Sequence, residues 1–372
     1  LLNELKKSHP RQINIGDSID MSFQKKERFT AIDGLKFLAF LNIFILHSAA
    51  YSWFDIKYSG AGAVSFFITS SGFMYGYRLG NPNFNISIKH IIKKILTLYP
   101  LHLVLILLIG CHHPVDLKIF IIHLALIQSY FSDESIYFGL NGPSWYLSAY
   151  IFLQFLLIPL TYLFRKLKDK KSVYLSFMLI FILNGIYINV IHFLNLDYQF
   201  WLYVFPPARI AEFACGMLTG IIVQYKNTES SAKAIKKKYI YSINEIISVI
   251  IVMALIYIVN MDNIFKPWMT RTEFWIMPLC YILYVFSQEK GIISGLLDSK
   301  PFKYLSTVSY ECYMIHCSLI VDVFGMLGMA NISRRSNFIL WWSMLCVTIC
   351  LSFSWKYLQS YITCKIKTIM QK

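Results

Sequence analysis

The sequence predicts an all-α fold: a polytopic integral membrane helical bundle of about ten transmembrane helices plus one short partial or re-entrant helix. Three observations predict it. Hydrophobic residues make up 56% of the 372 and charged residues only 15%, against about 25% charged in a soluble domain. A chain so poor in charge cannot cover a globular surface with solvated groups. Aromatic residues are abundant (17%), with Tyr and Trp suited to the half-wet headgroup layer. Finally, apolar runs long enough to cross about 30 Å of hydrocarbon recur along the whole chain.

The runs lie near 34–53, 60–79, 95–112, 143–164, 172–194, 205–225, 242–260, 270–287, 304–327 and 337–358. An eleventh, 117–131, is only 15 residues long and contains His123 and Gln128. Basic residues decide its status. Lys93-Lys94, the Arg165–Lys171 cluster, the 226–238 loop and the C-terminal tail should all face the cytoplasm. With the N-terminus inside, a full crossing at 117–131 would put the Arg165–Lys171 cluster outside, so a partial helix is expected there. Residues 1–31 are polar and Lys-rich and read as a flexible cytoplasmic tail, not a cleaved signal. The membrane domain is expected over 32–358 and a cytoplasmic C-terminal tail over 359–372. The expected location is the cell membrane, multi-pass, with both termini cytoplasmic.

The net charge of +15 would suggest nucleic acid in a soluble protein. Here the cations sit in short loops between apolar runs and no basic-aromatic groove is readable, so no nucleic-acid partner is expected. The eight cysteines lie mostly inside apolar runs without a CxxC pair, and read as small buried hydrophobes. No histidine pair has metal-ligand spacing with a carboxylate nearby, so no metal is expected.

Ionisable groups inside apolar runs are costly and are functional candidates by default. In the first run, Lys36 and His47 are eleven residues apart, within about 20° of three whole turns, so they share a face ~16 Å apart along the axis. Asp33 falls close to the same stripe. An acid and a lysine near the inner surface, with an imidazole deeper in, must line a cavity or bundle interior. A neutral imidazole can take a proton from a hydroxyl. The second run, 60–73, is rich in small residues and reads as a close helix-packing surface. Lys89, Lys93 and Lys94 follow it, and Lys89 and Lys93 form an i, i+4 like-charge pair that an anion would relieve. Charge alone favours lipid headgroups for that role; a polyphosphate would serve as well. Arg209 and Glu212 stand at i, i+3 and can pair, as scaffold or as site. Ser309 and His316, seven apart, share a face.

Taken in order, these segments resemble the acyltransferase family 3 membrane enzymes, over about Arg28 to the last helix. Arg28, Asp33-Gly34, Lys36 and His47 resemble the family's opening signature. Phe66-Phe67 with Ser71-Gly72-Phe73 resembles its Phe-Phe…Ser-Gly-Phe element, and Trp145-Tyr146-Leu147 its Trp-x-Leu element. Arg209…Glu212-Phe213 resembles Arg-x-x-Glu-Phe, and Ser309-Tyr310…Tyr313…His316 the late Ser-Tyr…Tyr-x-x-His element. The chain departs from the pattern at Thr97, where an Arg is usual, at Tyr150, where many members have Glu, and at Ser306, where Gly is frequent.

The resemblance implies an O-acyltransferase, with a cytoplasmic acyl-CoA donor, usually acetyl-CoA, as co-substrate and no permanently bound cofactor. The implied acceptor is a hydroxyl of a cell-envelope or exported glycan, free or lipid-linked. His47, Lys36 and Asp33 become the expected catalytic group, and Lys89, Lys93 and Lys94 the expected seat of the CoA phosphates. Ser71, Trp145, Arg209, Glu212, Ser309, Tyr310 and His316 are the expected cavity residues. Membrane lipid, acyl-CoA, the glycan and glycan-synthesis proteins are the expected partners. Two other classes stay open at this stage. A transporter of a polar or lipid-linked glycan would suit the buried charges, although no internal repeat is found. A sensor or scaffold would tolerate loss of His47 and Lys36.

Overall fold

The computed structural model describes residues 28–48, 60–81, 84–112, 114–230, 238–260, 273–320 and 334–370. Among these the chain is helical, without a strand. Each of the ten predicted runs contains a helix. Among the described residues six helices are long and apolar enough to cross a membrane, and the expected count of about ten crossings is not confirmed.

The first helix, α1 (Thr30–His47), begins before the expected domain boundary at 32. Its start is tied down: Phe29 packs edge-on against Phe73 and Tyr77, at 5.6 and 4.8 Å between ring centroids. The Ala31 amide donates to Glu289 Oε1 at 3.0 Å, so an acid satisfies one of the amides that a helix N-terminus leaves open. Thr30 Oγ1 donates to Asp298 Oδ1 at 2.5 Å. Lys303 and then Thr30, both hydrogen-bonded to Asp298, hold that loop carboxyl below its ordinary range.

Next come α2 (Gly60–Leu79) and α3 (Ile88–His112). After α3 the chain turns back in α4 (Leu117–Leu124), capped by Asp116, and passes through a 3-10 turn and α5 (Glu134–Tyr137). The end of α4 meets the middle of α3: Tyr99 Oη donates to the Leu124 carbonyl at 2.8 Å, and His102 Nε2 to that of His123 at 2.8 Å. Eight residues of helix span about 12 Å, so α4 does not cross, and the predicted partial helix takes this form.

The chain descends again in α6 (Ser144–Phe164). Arg165, just past it, donates to the Phe84 carbonyl between α2 and α3, so the Arg165–Lys171 cluster lies at the same end as the start of α3. A capping box of Asp169 and Ser172 starts α7 (Lys170–Phe193). A π turn and a Pro206–Arg209 3-10 turn lead into α8 (Ile210–Ser230), whose Tyr225 returns to the Leu167 carbonyl at 3.2 Å.

The bundle is built on α2 and α8, the most extensively paired helices. Gly72 and Gly76 face Gly216 and Gly220 across the crossing. A Cβ at Gly76 would overlap the Met217 carbonyl, and one at Gly216 that of Thr69. The small-residue stripe of the second run is thus a backbone-to-backbone contact, as expected for helices that associate by close approach.

The second half comprises α9 (Lys238–Asn260), α10 (Glu273–Phe286), α11 (Ile292–Leu297), α12 (Lys300–Ser306), α13 (Ser309–Ser318) and α14 (Arg334–Met370). Buried Glu245 on α9 accepts from the amides of Gly291, Ile293 and Ser294 at 3.0, 2.8 and 3.1 Å, an acid closing the start of α11. At the far end α14 runs on through Met370, beyond the 358 at which the apolar run stops. Its Gln359 donates to the Thr97 carbonyl of α3 at 2.7 Å. Ends of α2, α6, α8 and α14 and the start of α3 therefore gather at one end of the bundle, bringing Lys93, Lys94 and the Arg165–Lys171 cluster with them.

Candidate active site

Two polar groupings lie near opposite ends of α1. At its last residue, His47 Nδ1 is 2.8 Å from His316 Nε2, and the two rings are nearly parallel, at 7°. Residue His47 keeps exposed surface, whereas His316 is fully buried. Phe40, Phe44 and Tyr313 surround the His316 ring, and its Nδ1 is 2.6 Å from the Tyr313 carbonyl. Position 47 is itself anchored: Trp341 Nε1 of α14 donates to Ser48 Oγ at 2.7 Å, and Ser48 donates to the Phe44 carbonyl. The loop before α6 packs beside the pair. Buried Asn141 donates to the Met314 carbonyl at 3.2 Å, and Tyr313 Oη to that of Pro143 at 3.2 Å.

At the other end, Asp33 holds two cations, Lys36 Nζ at 3.0 Å and Arg28 Nε at 2.7 Å. Lys94 turns inward on α3, within electrostatic reach of Lys36, Arg78, Lys356 and Glu311. Lys356 donates to Glu311 at 3.3 Å and to the Thr307 carbonyl. Counting Arg28, five cations, from the start of α1 and from α2, α3 and α14, thus share this region with two carboxylates, Asp33 and Glu311, among the described residues. Such an excess of buried or half-buried positive charge is costly unless an anion joins it. Lys89 and Lys93 are exposed and do not join the group.

Between the two ends runs a wall of tyrosines. Tyr150 accepts from Ser71 Oγ at 3.3 Å, and Tyr75 donates to Gln154 Oε1 at 2.8 Å. Lys36 and Arg78 both act electrostatically on Tyr150. Tyr146 stacks on Tyr150 at 5.9 Å and meets Tyr313 edge-on at 5.4 Å, which links the cationic end to the histidine pair.

To one side, on the α2–α8 pair, Arg209 and Glu212 form a fully buried ion pair at 2.9 Å. Ser65 Oγ donates to Glu212 Oε1 at 2.6 Å, and the Arg209 guanidinium faces the Tyr203 ring at 5.3 Å. Arg209 Nε and Nη1 are buried without a hydrogen-bond partner among the described residues.

Of the residues singled out from the sequence, His47 and His316 are brought together, as are Asp33, Lys36 and Lys94. Arg209 and Glu212 meet each other. Ser71 sits on the tyrosine wall, and Trp145 packs against Tyr203 at 4.7 Å. Ser309 bonds the Ser306 carbonyl at its helix start, about two turns from His316, and Tyr310 donates to the Leu98 carbonyl at 2.9 Å. Sequence reasoning missed Arg78, Lys356 and Glu311. All three lie in or beside apolar runs, so the rule applied to Lys36 and His47 would have found them.

Among the described residues the chain is an all-helical bundle with helices long and apolar enough to cross a membrane. Residues 29–356 match the acyltransferase family 3 domain, and the chain belongs to that family. The match covers both polar groupings. No curated protein and no solved structure matches the chain.

Proposed function

We propose that this chain is a membrane O-acyltransferase that moves an acyl group, acetyl in the simplest case, from cytoplasmic acyl-CoA to a hydroxyl of a cell-envelope or exported glycan. The observation that carries the reading is the division of labour along α1, with a cationic seat at Lys36 and an accessible imidazole at His47, ~16 Å apart along the axis. That separation suits a donor whose phosphates and thioester are joined by a long pantetheine arm.

In this reading Lys36, Arg78, Lys94 and Lys356 receive the CoA phosphates. The gathering of the Arg165–Lys171 cluster and the start of α3 at that same end supports a cytoplasmic orientation for it, with both chain termini on that side of the cell membrane. The arm follows the tyrosine wall to the histidine pair. His47 takes the proton of the acceptor hydroxyl as its oxygen attacks the thioester carbonyl. The carbon–sulfur bond then breaks, and the same nitrogen returns the proton to the leaving thiolate. Acyl-CoA is consumed as co-substrate and no cofactor is retained.

Membrane vesicles given radiolabelled acetyl-CoA should label glycan, and His47→Ala should abolish labelling while the protein remains in the membrane. Normal labelling by that variant overturns the mechanism. Uptake of a solute or lipid-linked glycan without acylation would replace the enzyme by a transporter.

A further inference from the structure

We propose that His316 is a positioning residue that fixes the tautomer of His47, so that His47 presents an unprotonated Nε2 to the reacting hydroxyl; the inference rests on His47 being the base. The argument follows the protons. His316 Nδ1 lies 2.6 Å from the Tyr313 carbonyl oxygen, an atom that only accepts, so Nδ1 carries hydrogen. The ring is fully buried among Phe40, Phe44 and Tyr313, and among the described residues no carboxylate contacts it. An unpaired imidazolium would be costly in that setting. A neutral ring with hydrogen on Nδ1 has a bare Nε2. That Nε2 stands 2.8 Å from His47 Nδ1 and can only accept. His47 therefore carries its hydrogen on Nδ1, and its lone pair sits on Nε2, on the far side of the ring from His316.

The chain carbonyl to His316 to His47 does three things. It selects the tautomer that can act as a base, holds the ring plane, and offers a buried acceptor to Nδ1–H when Nε2 takes the acceptor proton. The helix supplies the register: the carbonyl that sets His316 belongs to Tyr313, three residues earlier on the same helix. Among the described residues the groups beside the pair are Phe40 and Phe44 on α1, Tyr313 on α13, Trp341 of α14 behind Phe44, and Asn141 and Pro143 of the loop before α6. Of these only Tyr313 titrates, and its hydroxyl is turned to the Pro143 carbonyl.

The test compares His316→Phe, which suits the aromatic surround but cannot accept, with His316→Gln, whose amide oxygen can accept from His47 Nδ1. Both are measured in full-length protein in vesicles with acetyl-CoA and the native glycan. His316→Phe should lose on the order of 100-fold in kcat, as expected when a base loses its orienting partner, with the KM for acetyl-CoA unchanged. His316→Gln should stay within about tenfold of the parent. Nitrogen-15 spectra of histidine-labelled protein, with His47→Gln as the subtraction control, should show His47 protonated at Nδ1 in the parent and the Gln variant but not in the Phe variant. Equal loss in both variants, a loss carried by KM, or a His47 signal unchanged by His316→Phe overturns the inference. If His47→Ala is itself active, the base reading fails; if it is inactive while His316→Phe is fully active, only the positioning role fails.

Discussion

Removing one member of the Arg209–Glu212 pair should cost far more stability than removing both. The pair is fully buried, the ions are 2.9 Å apart, and Ser65 adds a 2.6 Å bond to the carboxylate. Glu212→Leu leaves a guanidinium that cannot deprotonate, with the Tyr203 ring and a 3.3 Å bond to Ser65 Oγ as its remaining compensation, and should cost about 3–5 kcal/mol. Arg209→Met leaves a carboxyl that can shed its charge by taking a proton and still bond Ser65, so its cost should fall near the lower end of that range, about 3 kcal/mol. In the double variant no charge remains. The loss then reduces to an unpaired Ser65 hydroxyl and imperfect packing, about 1–2 kcal/mol. Steric-trap unfolding in detergent micelles reads all three against the parent. A double variant as unstable as the worse single one refutes the reasoning, as does a single variant that loses less than about 1 kcal/mol. Glycan acylation by the folded double variant then separates scaffold from site.

Gly76→Leu should prevent assembly of the α2–α8 pair, at a cost of at least about 3 kcal/mol, because the new side chain meets the Met217 backbone, which cannot yield as a side chain would; fluorescence-detected gel filtration of a tagged protein reads the loss, and a monodisperse variant would contradict it. Lys94→Gln should raise the KM for acetyl-CoA about tenfold or more with kcat little changed, while Lys93→Gln, one residue away on the exposed face, should leave both nearly unaltered; equal effects would remove the inward cationic seat from the donor site.

The parts of this molecule that were legible in the sequence are those fixed by local repeat. Helical periodicity put Lys36 and His47 on one face of α1 and allowed Arg209 and Glu212 to pair, and apolar length marked the helices. The short run at 117–131 was legible as a partial helix because the positive-inside rule left it no other role. Partners distant in the chain were not legible. His47 and His316 are 269 residues apart, and no periodicity connects two helices. Lys93 and Lys94 read alike as adjacent lysines, but about 100° of helical rotation sends one to the exposed face and the other inward. Ser309 and His316 share a face of α13, but sharing a face does not bring residues two turns apart into contact. Shape and register of helix packing decide such questions, and they depend on the volumes of many side chains together.

In the mechanism we propose, two histidines do what one could not. A lone imidazole at the end of α1 would be free to adopt either tautomer, and water would favour neither the geometry nor the nitrogen that the reaction needs. A carboxylate in the place of His316 would fix the tautomer equally well but would bring a buried negative charge, which is costly where, among the described residues, no cation contacts it. It would also repel an anionic donor and hold the His47 proton after transfer. A neutral acceptor set by a backbone carbonyl orients the ring without either penalty. In that mechanism the cations stay at the far end of α1, where phosphate can compensate them, and among the described residues no charged side chain contacts the histidine pair.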